Sequence, residues 1–382
     1  MKKDLSIYIH IPFCYSKCYY CDFNSSTVDE NIEKYIVYIK KEIDLYSEIL
    51  NNHRLKTIFF GGGTPSFIDE MYIVEVLEYI YTKIDATELV EVTVESNPKT
   101  LNLEKLKAYK SAGVNRISLG VQTLDDDLLK SIGRAHTSSD VYSTHDLLKE
   151  CGFKNINMDI MFNLPGQQKS DLLDSLEKVS NLDIPHISLY SLSIEEGTPF
   201  HEMEEKGEIS LSSEDVEREM YHSSIEFLKS KDYHQYEISN FAKEGYECIH
   251  NLAYWKLKPY IGLGLSSHSN ISSMRYGNVS DFDSYFKSID TQKLPIDEDT
   301  KEFIDKDMEI AEYIMLGLRL NEGIYKEEFK NRYKIDIVDI FKGKLEKFKR
   351  DGLIIEDQFK LRLTDKGLDI CNVIFMEILP EK

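Results

Sequence analysis

Short runs rich in β-branched and aromatic residues recur through the first half of the chain: SIYIHIPF (6–13), KTIFFGGGTP (56–65), EVTVESNP (91–98), RISLGVQ (116–122), NINMDIMFNLPG (155–166) and HISLYSLS (186–193). Most meet Gly, Asn or Pro near their ends, and each reads as a buried strand. Between them lie stretches with apolar residues at three- and four-residue spacing and charges opposite, as at 30–50, 70–84, 103–113 and 170–182; these read as amphipathic helices. Such alternation predicts an α/β fold with right-handed crossovers and a mainly parallel sheet, either open and doubly wound or a complete or partial (β/α) barrel. In both architectures the site forms at the carboxyl ends of the strands, where the polar and glycine motifs of this chain cluster.

Beyond residue 200 the alternation weakens into a charged helix over 213–232, a segment containing HNLAYW, and the glycine-rich IGLGLSSHS. From Ile304 the pattern changes again. Helices are predicted over 311–320, 326–333 and 337–352, then a hairpin at 353–364 and a last apolar helix at 369–379. The expected organisation is a barrel core over 1–200, an intermediate region over 201–303 that closes the barrel, and a winged-helix-like α+β domain over 304–382.

Charge changes the picture for partners. A formal net charge of −21 opposes binding to a phosphate backbone, which depends on clustered Lys and Arg. The basic run Lys342, Lys344, Lys347, Lys349 and Arg350 reads as a solvated helix face among acidic neighbours. No signal-like h-region and no apolar run of membrane-spanning length is visible, so a cytoplasmic protein is expected.

Three of the six cysteines fall within the first 21 residues, as Cys14-x3-Cys18-x2-Cys21 directly after the first predicted strand; Cys151, Cys248 and Cys371 are scattered singly. That distribution fits metal ligation better than a disulfide framework. Three thiolates on one loop can hold three corners of a 4Fe-4S cubane. The fourth iron is then open to a chelating amine and carboxylate, both of which S-adenosylmethionine (SAM) carries. Zinc with His10 as fourth ligand is the alternative, although structural zinc sites usually close with paired Cys-x2-Cys knuckles.

With its flanks, this motif resembles the radical SAM superfamily. Tyr8-Ile9-His10-Ile11-Pro12-Phe13-Cys14 is similar to the opening of the oxygen-independent coproporphyrinogen III oxidase family, which includes the haem chaperones called HemW. The likeness continues through Gly61-Gly62-Gly63-Thr64-Pro65, Glu95-Ser96-Asn97-Pro98, Gly120-Val121-Gln122, Gly133-Arg134-Ala135-His136, Asp159 and Leu164-Pro165-Gly166. It implies a partial (β/α)6-type barrel and a SAM site formed by Tyr8, Gly63, Thr64, Glu95, Gln122, Arg134 and Asp159. It also implies that an electron from the cluster can split SAM into methionine and a 5′-deoxyadenosyl radical.

Two functions follow from the resemblance: oxidation of coproporphyrinogen III to protoporphyrinogen IX, or haem binding and delivery to recipient proteins, respiratory ones among them. Asp22 and Phe23 follow Cys21 where the oxidases carry a fourth cysteine, and only seven residues precede Tyr8. His250-Asn251-Leu252-Ala253-Tyr254-Trp255 looks like the His-Asn-x2-Tyr-Trp signature of the HemW group. These departures favour the chaperone, with His250 the first haem candidate and Cys248 and His268 behind it. A radical SAM enzyme with another substrate is the third reading. Peripheral membrane contact through a respiratory partner is compatible with all three.

Overall fold

The computed structural model describes residues 2–27, 30–341 and 344–378. Lys342 of the basic run and Leu379 at the end of the last predicted helix lie outside them.

All six predicted strands form: β1 (Lys3–Ile11), β2 (His53–Gly62), β3 (Glu91–Ser96), β4 (Arg116–Gln122), β5 (Asn155–Phe162) and β6 (His186–Ser191). They pair in parallel in chain order, each neighbour reached through a helical crossover. Alternation along each strand decides its two faces. Ile7, Ile9, Ile58, Phe60, Val92, Val94, Ile117, Leu119, Met158, Ile160, Ile187 and Leu189 are buried in one apolar core with the helices. The intervening positions, among them Tyr8, Phe59, Glu95, Arg116, Ser118, Asn157, Asp159, Ser188 and Tyr190, line a cavity on the other face.

Several crossover helices start on side-chain caps. Asp69 accepts from the Met71 amide, Asn102 from Lys105, and Thr137 forms a reciprocal capping box with Asp140. Each cap is worth about 1 kcal/mol, and together they fix where the chain turns from strand to helix at the site end of the sheet. The periodic run at 30–50 divides into helices Ile32–Leu45 and Ser47–Asn52. Tyr46 between them is buried, and its hydroxyl meets that of Tyr276 at 3.1 Å.

Residues 201–303 extend the same sheet from both edges. β7 (His234–Glu237) and β8 (Asn240–Ala242) add antiparallel beside β6. β9 (Tyr260–Leu263) lies parallel beside β1 and leads to the antiparallel β10 (His268–Ile271), β11 (Met274–Asn278) and β12 (Ile296–Phe303). The result is an unclosed sheet of twelve strands, order β12-β11-β10-β9-β1-β2-β3-β4-β5-β6-β8-β7. Its central parallel portion is the partial barrel.

The C-terminal portion has its own apolar cluster, including Ile314, Phe329, Ile337, Leu361 and Ile374. The predicted hairpin forms as β14 (Ile354–Glu356) and β15 (Lys360–Leu363), and β13 (Ile324–Tyr325) adds a third strand to it. The described lysines of the basic run are committed within this portion. Lys347 pairs with Glu377 at 3.0 Å, and Lys349 with Glu346 and Glu356 at 2.9 Å each. Among the described residues no helix is long and apolar enough to cross a membrane.

Candidate functional site

The cysteine loop leaves β1 at Pro12 and is closed at its base. The Cys14 amide donates to the Ser26 carbonyl (2.9 Å), and the Ser26 amide to the Pro12 carbonyl (2.6 Å). Farther along, the Tyr19 amide bonds the Ile132 carbonyl (3.2 Å), and the Phe200 amide bonds the Tyr19 carbonyl (2.9 Å). The turn after β2 packs beneath it: Gly63 and Thr64 amides donate to the Ile11 and Phe13 carbonyls, both at 2.9 Å. Two glycines are demanded here. Gly62 has φ +108°, and a Cβ on it would meet the His10 ring at 2.5 Å; one on Gly63 would lie 3.0 Å from Cys14 Sγ.

Cys14, Cys18 and Cys21 line a cavity of about 470 Å³ together with Tyr8, Gly63, Thr64, Glu95, Gln122, Arg134, Asp159 and His250. Every residue of the predicted SAM set, from β1 to β5 and the connections after them, thus opens on one space, within the usual size range of small-molecule sites. Burial pushes the Cys14 and Cys21 thiols up. Among the described residues no three His, Cys, Asp or Glu side chains converge tightly enough for a single ion. A cubane holds its thiolates farther apart than one ion does. His10 does not serve as a zinc ligand in this arrangement: its Nε2 is bonded to the Asn24 carbonyl (2.8 Å) and its Nδ1 to the Tyr8 hydroxyl (3.2 Å).

The cavity carries charges of both signs. Arg134 donates from Nη1 to Cys18 Sγ (3.3 Å) and from Nη2 to Asn97 and to the Gly120 carbonyl. Its Nε and that of Arg116 are buried without a partner among the described residues. Glu95 accepts from the Gly62 amide (3.2 Å), and Asp159 from Asn157 Nδ2 (2.7 Å). Burial, then the neighbouring Asp159 charge, raises the Glu95 carboxyl to about 8; burial also raises Asp159. Unused cationic N–H groups and desolvated carboxylates in one space suit a zwitterion with an added sulfonium, as SAM is. Gln122, at φ +69°, adds a side-chain amide where β4 ends.

The haem candidates are placed differently from one another. His250 is fully buried, its Nδ1 bonded to Thr57 Oγ1 and its Nε2 to the Tyr254 hydroxyl, both at 2.8 Å, with its ring stacked on Phe59. Burial lowers its pKa to about 3, so it is neutral, and neither nitrogen offers a free lone pair. Cys248 is buried and points at Glu91 (3.4 Å); burial raises its pKa to about 12. His268 is exposed at a second cavity.

Sequence reasoning missed Arg116, Ser118, Asn157, Ser188 and Tyr190, which line the cavity floor and walls. Asn157 binds Ser118, Asp159 and His186 there. The available signal was a polar residue at every second position of strands otherwise made of Ile, Leu and Met.

The geometry agrees with what the chain resembles. The radical SAM superfamily domain matches residues 8–179, and the HemN C-terminal domain matches 304–370. The chain is 37% identical over 380 residues to the haem chaperone HemW of Lactococcus lactis, covering 99% of this chain and 98% of that one. It is 38% identical to the haem chaperone HemW of Bacillus subtilis, covering 98% and 99%. The solved structure of the coproporphyrinogen III oxidase HemN from Escherichia coli, a radical SAM enzyme, superposes with a TM-score of 0.85 over 99% of this chain and 90% of that one. At 20% identity that likeness speaks for the fold alone. The chain belongs to the radical SAM superfamily and, within it, to the HemW family.

Proposed function

We propose that this protein is a haem chaperone, which binds haem next to a 4Fe-4S cluster and SAM and hands it to recipient proteins in the cytoplasm, respiratory proteins among them. The observation that carries the reading is the 37% identity to a named haem chaperone over 99% of the chain. The replacement of an oxidase-type fourth cysteine by Phe23 agrees with it.

In this reading Cys14, Cys18 and Cys21 hold the cluster, and bound cluster and SAM supply one-electron chemistry. Cys14 is set by the Phe13 and Ser26 backbone and Cys18 by Arg134. Glu95 and the Gly62-Gly63 turn receive the amino end of SAM, with Gly63, backed by Thr64, keeping the approach open to the cluster. Arg134 offers its unpaired Nε–H to anionic groups. Gln122 and Asp159 at the ends of β4 and β5 take polar groups of the nucleoside, and Tyr8 gives an aromatic wall. His250 fixes the position of Tyr254, and both side chains of the HNLAYW helix face the cavity. Residues 1–200 then serve as the cluster and SAM core, 201–303 as its enclosure, and 304–382 as a packed appendage.

The test is a divided anaerobic assay on the reconstituted full chain. One half titrates haem by absorbance; the other supplies SAM, a reductant and coproporphyrinogen III. Stoichiometric haem binding without protoporphyrinogen supports the chaperone. Protoporphyrinogen with matching methionine release overturns it.

A further inference from the structure

A haem iron needs an axial atom with a free lone pair, so the ten histidines can be sorted by what their rings already do. His10, His186 and His250 have both nitrogens hydrogen-bonded. His53 and His136 bond a backbone carbonyl, and His145, His201, His222 and His234 face a carboxylate, each through one ring nitrogen; the other nitrogen is left over, but none of the six lines either cavity. His268 alone has neither a hydrogen bond nor an ion pair among the described residues, and it is exposed.

Its position is defined all the same. His268 pairs with Gly277 across the β10–β11 ladder. A Cβ on Gly277 would lie 3.0 Å from His268 Cε1 and 3.3 Å from both ring nitrogens. The imidazole therefore rests across a strand that leaves room for it, held in direction while its nitrogens stay unused.

The ring stands on the rim of a second cavity, of about 420 Å³, where Phe23, Tyr254 and Tyr260 give aromatic surface. Phe23 is 61% exposed, a cost in water that a flat apolar ligand would relieve. Tyr8, Gly62, Glu95 and Tyr254 border both this cavity and the one that holds the three cysteines.

We propose that His268 is an axial ligand of the haem iron and that this second cavity seats the macrocycle between Phe23 and the Tyr254–Tyr260 wall. The inference rests on the chaperone reading. It makes haem and SAM neighbours across a shared wall, and it gives His250 the task of orienting Tyr254.

The test uses the reconstituted full chain, titrated with haemin and followed by the Soret band, in wild type, His268→Ala and, as an exposed but ion-paired control, His234→Ala. In His268→Ala the dissociation constant should rise at least about tenfold, which is about 1.4 kcal/mol, with the Soret band shifted and free imidazole restoring its position. His234→Ala should titrate like wild type. Far-UV circular dichroism and cluster absorbance equal to wild type would show that His268→Ala folds and loads. An unchanged Soret band and affinity in His268→Ala would overturn the ligand assignment and leave the chaperone reading standing, as would an equal loss in both variants. A wild-type chain that binds no haem would remove both.

Discussion

Gly63→Ala places one methyl group at the junction between β1, the glycine turn and the cysteine loop. The new Cβ would lie 2.8 Å from the Phe13 carbonyl oxygen and 3.0 Å from both the Ile11 carbonyl oxygen and Cys14 Sγ. Against an ordinary contact of 3.4 Å or more, the shortfall is about 0.6 Å at the worst point. Neither carbonyl can retreat cheaply. Ile11 and Phe13 are fully buried, and their carbonyls accept the Gly63 and Thr64 amides. Overpacking of this kind costs about 1–3 kcal/mol, and giving up either hydrogen bond adds about 1 kcal/mol. The atom freest to move is Cys14 Sγ, whose hydrogen bond to Thr64 Oγ1 is a long contact (3.5 Å). The strain is thus relieved by displacing the Cys14 thiol, one of the three proposed to hold the cluster. The variant should fold, with its urea midpoint lowered by the equivalent of about 1–3 kcal/mol, and should hold less than half the wild-type iron and sulfide after anaerobic reconstitution. Wild-type iron content together with a lowered midpoint would refute the coupling of this turn to Cys14; wild-type values of both would refute the packing argument itself.

Cys18→Ser should lose the brown cluster absorbance, and an intact 4Fe-4S spectrum would end its assignment as a ligand. Because burial and the Asp159 charge raise the Glu95 carboxyl to about 8 and its ionised form is the better acceptor for amine N–H groups, SAM affinity should rise with pH up to about pH 8 and then level. Equilibrium dialysis of Glu95→Gln should give a flat profile, and a flat wild-type profile would remove Glu95 from the amino site. Glu42 is buried beneath the Gly264 amide, the Tyr285 hydroxyl and Asn278 Nδ2, with a carboxyl raised to about 7 by burial. A carboxyl raised in the folded state contributes fully below its unfolded pKa of about 4.5, and that contribution falls as pH climbs through 7. The loss is on the order of 3 kcal/mol. Thermal midpoints should therefore decline more steeply between pH 5 and 8 in wild type than in Glu42→Gln; parallel slopes would count against the assignment.

The parallel strands were legible because one face of each is packed under helices, and a packed face leaves Ile, Val and Leu at every second position. What escaped was the opposite face. Arg116, Asn157 and Ser188 fall inside runs that read as buried strands, and a polar residue within an apolar strand does not by itself say which way it points. β9 to β12 were equally hard to read. β9 to β11 are short, β9 and β11 contain glycine, and β12 is polar and largely exposed, so their pairing is decided by the sheet edge they meet. For the site, the cysteine spacing and the residues at the strand ends were readable, because local motifs carry them. The state of His250 was not: Thr57 and the Phe59 ring lie in β2, and no local pattern announces that two distant segments will saturate one imidazole. His268 shows the converse, for what distinguishes it is the partner it lacks.

The order of strands bears on how the protein is made. β1, which leaves the ribosome before the other strands described, is flanked in the finished sheet by β2 on one side and β9 on the other, so that Ser6 lies beside Tyr260. The cysteine loop shares this delay: Asn24 is secured by Ser266 Oγ (2.7 Å) and the Ser280 carbonyl (2.8 Å). Contacts so distant in sequence slow folding, since a long stretch of chain must be closed before they reward it. A nascent polypeptide would therefore display Cys14, Cys18 and Cys21 long before the scaffold that positions them exists, and any iron–sulfur insertion at this loop is expected only once residues near 280 have been released.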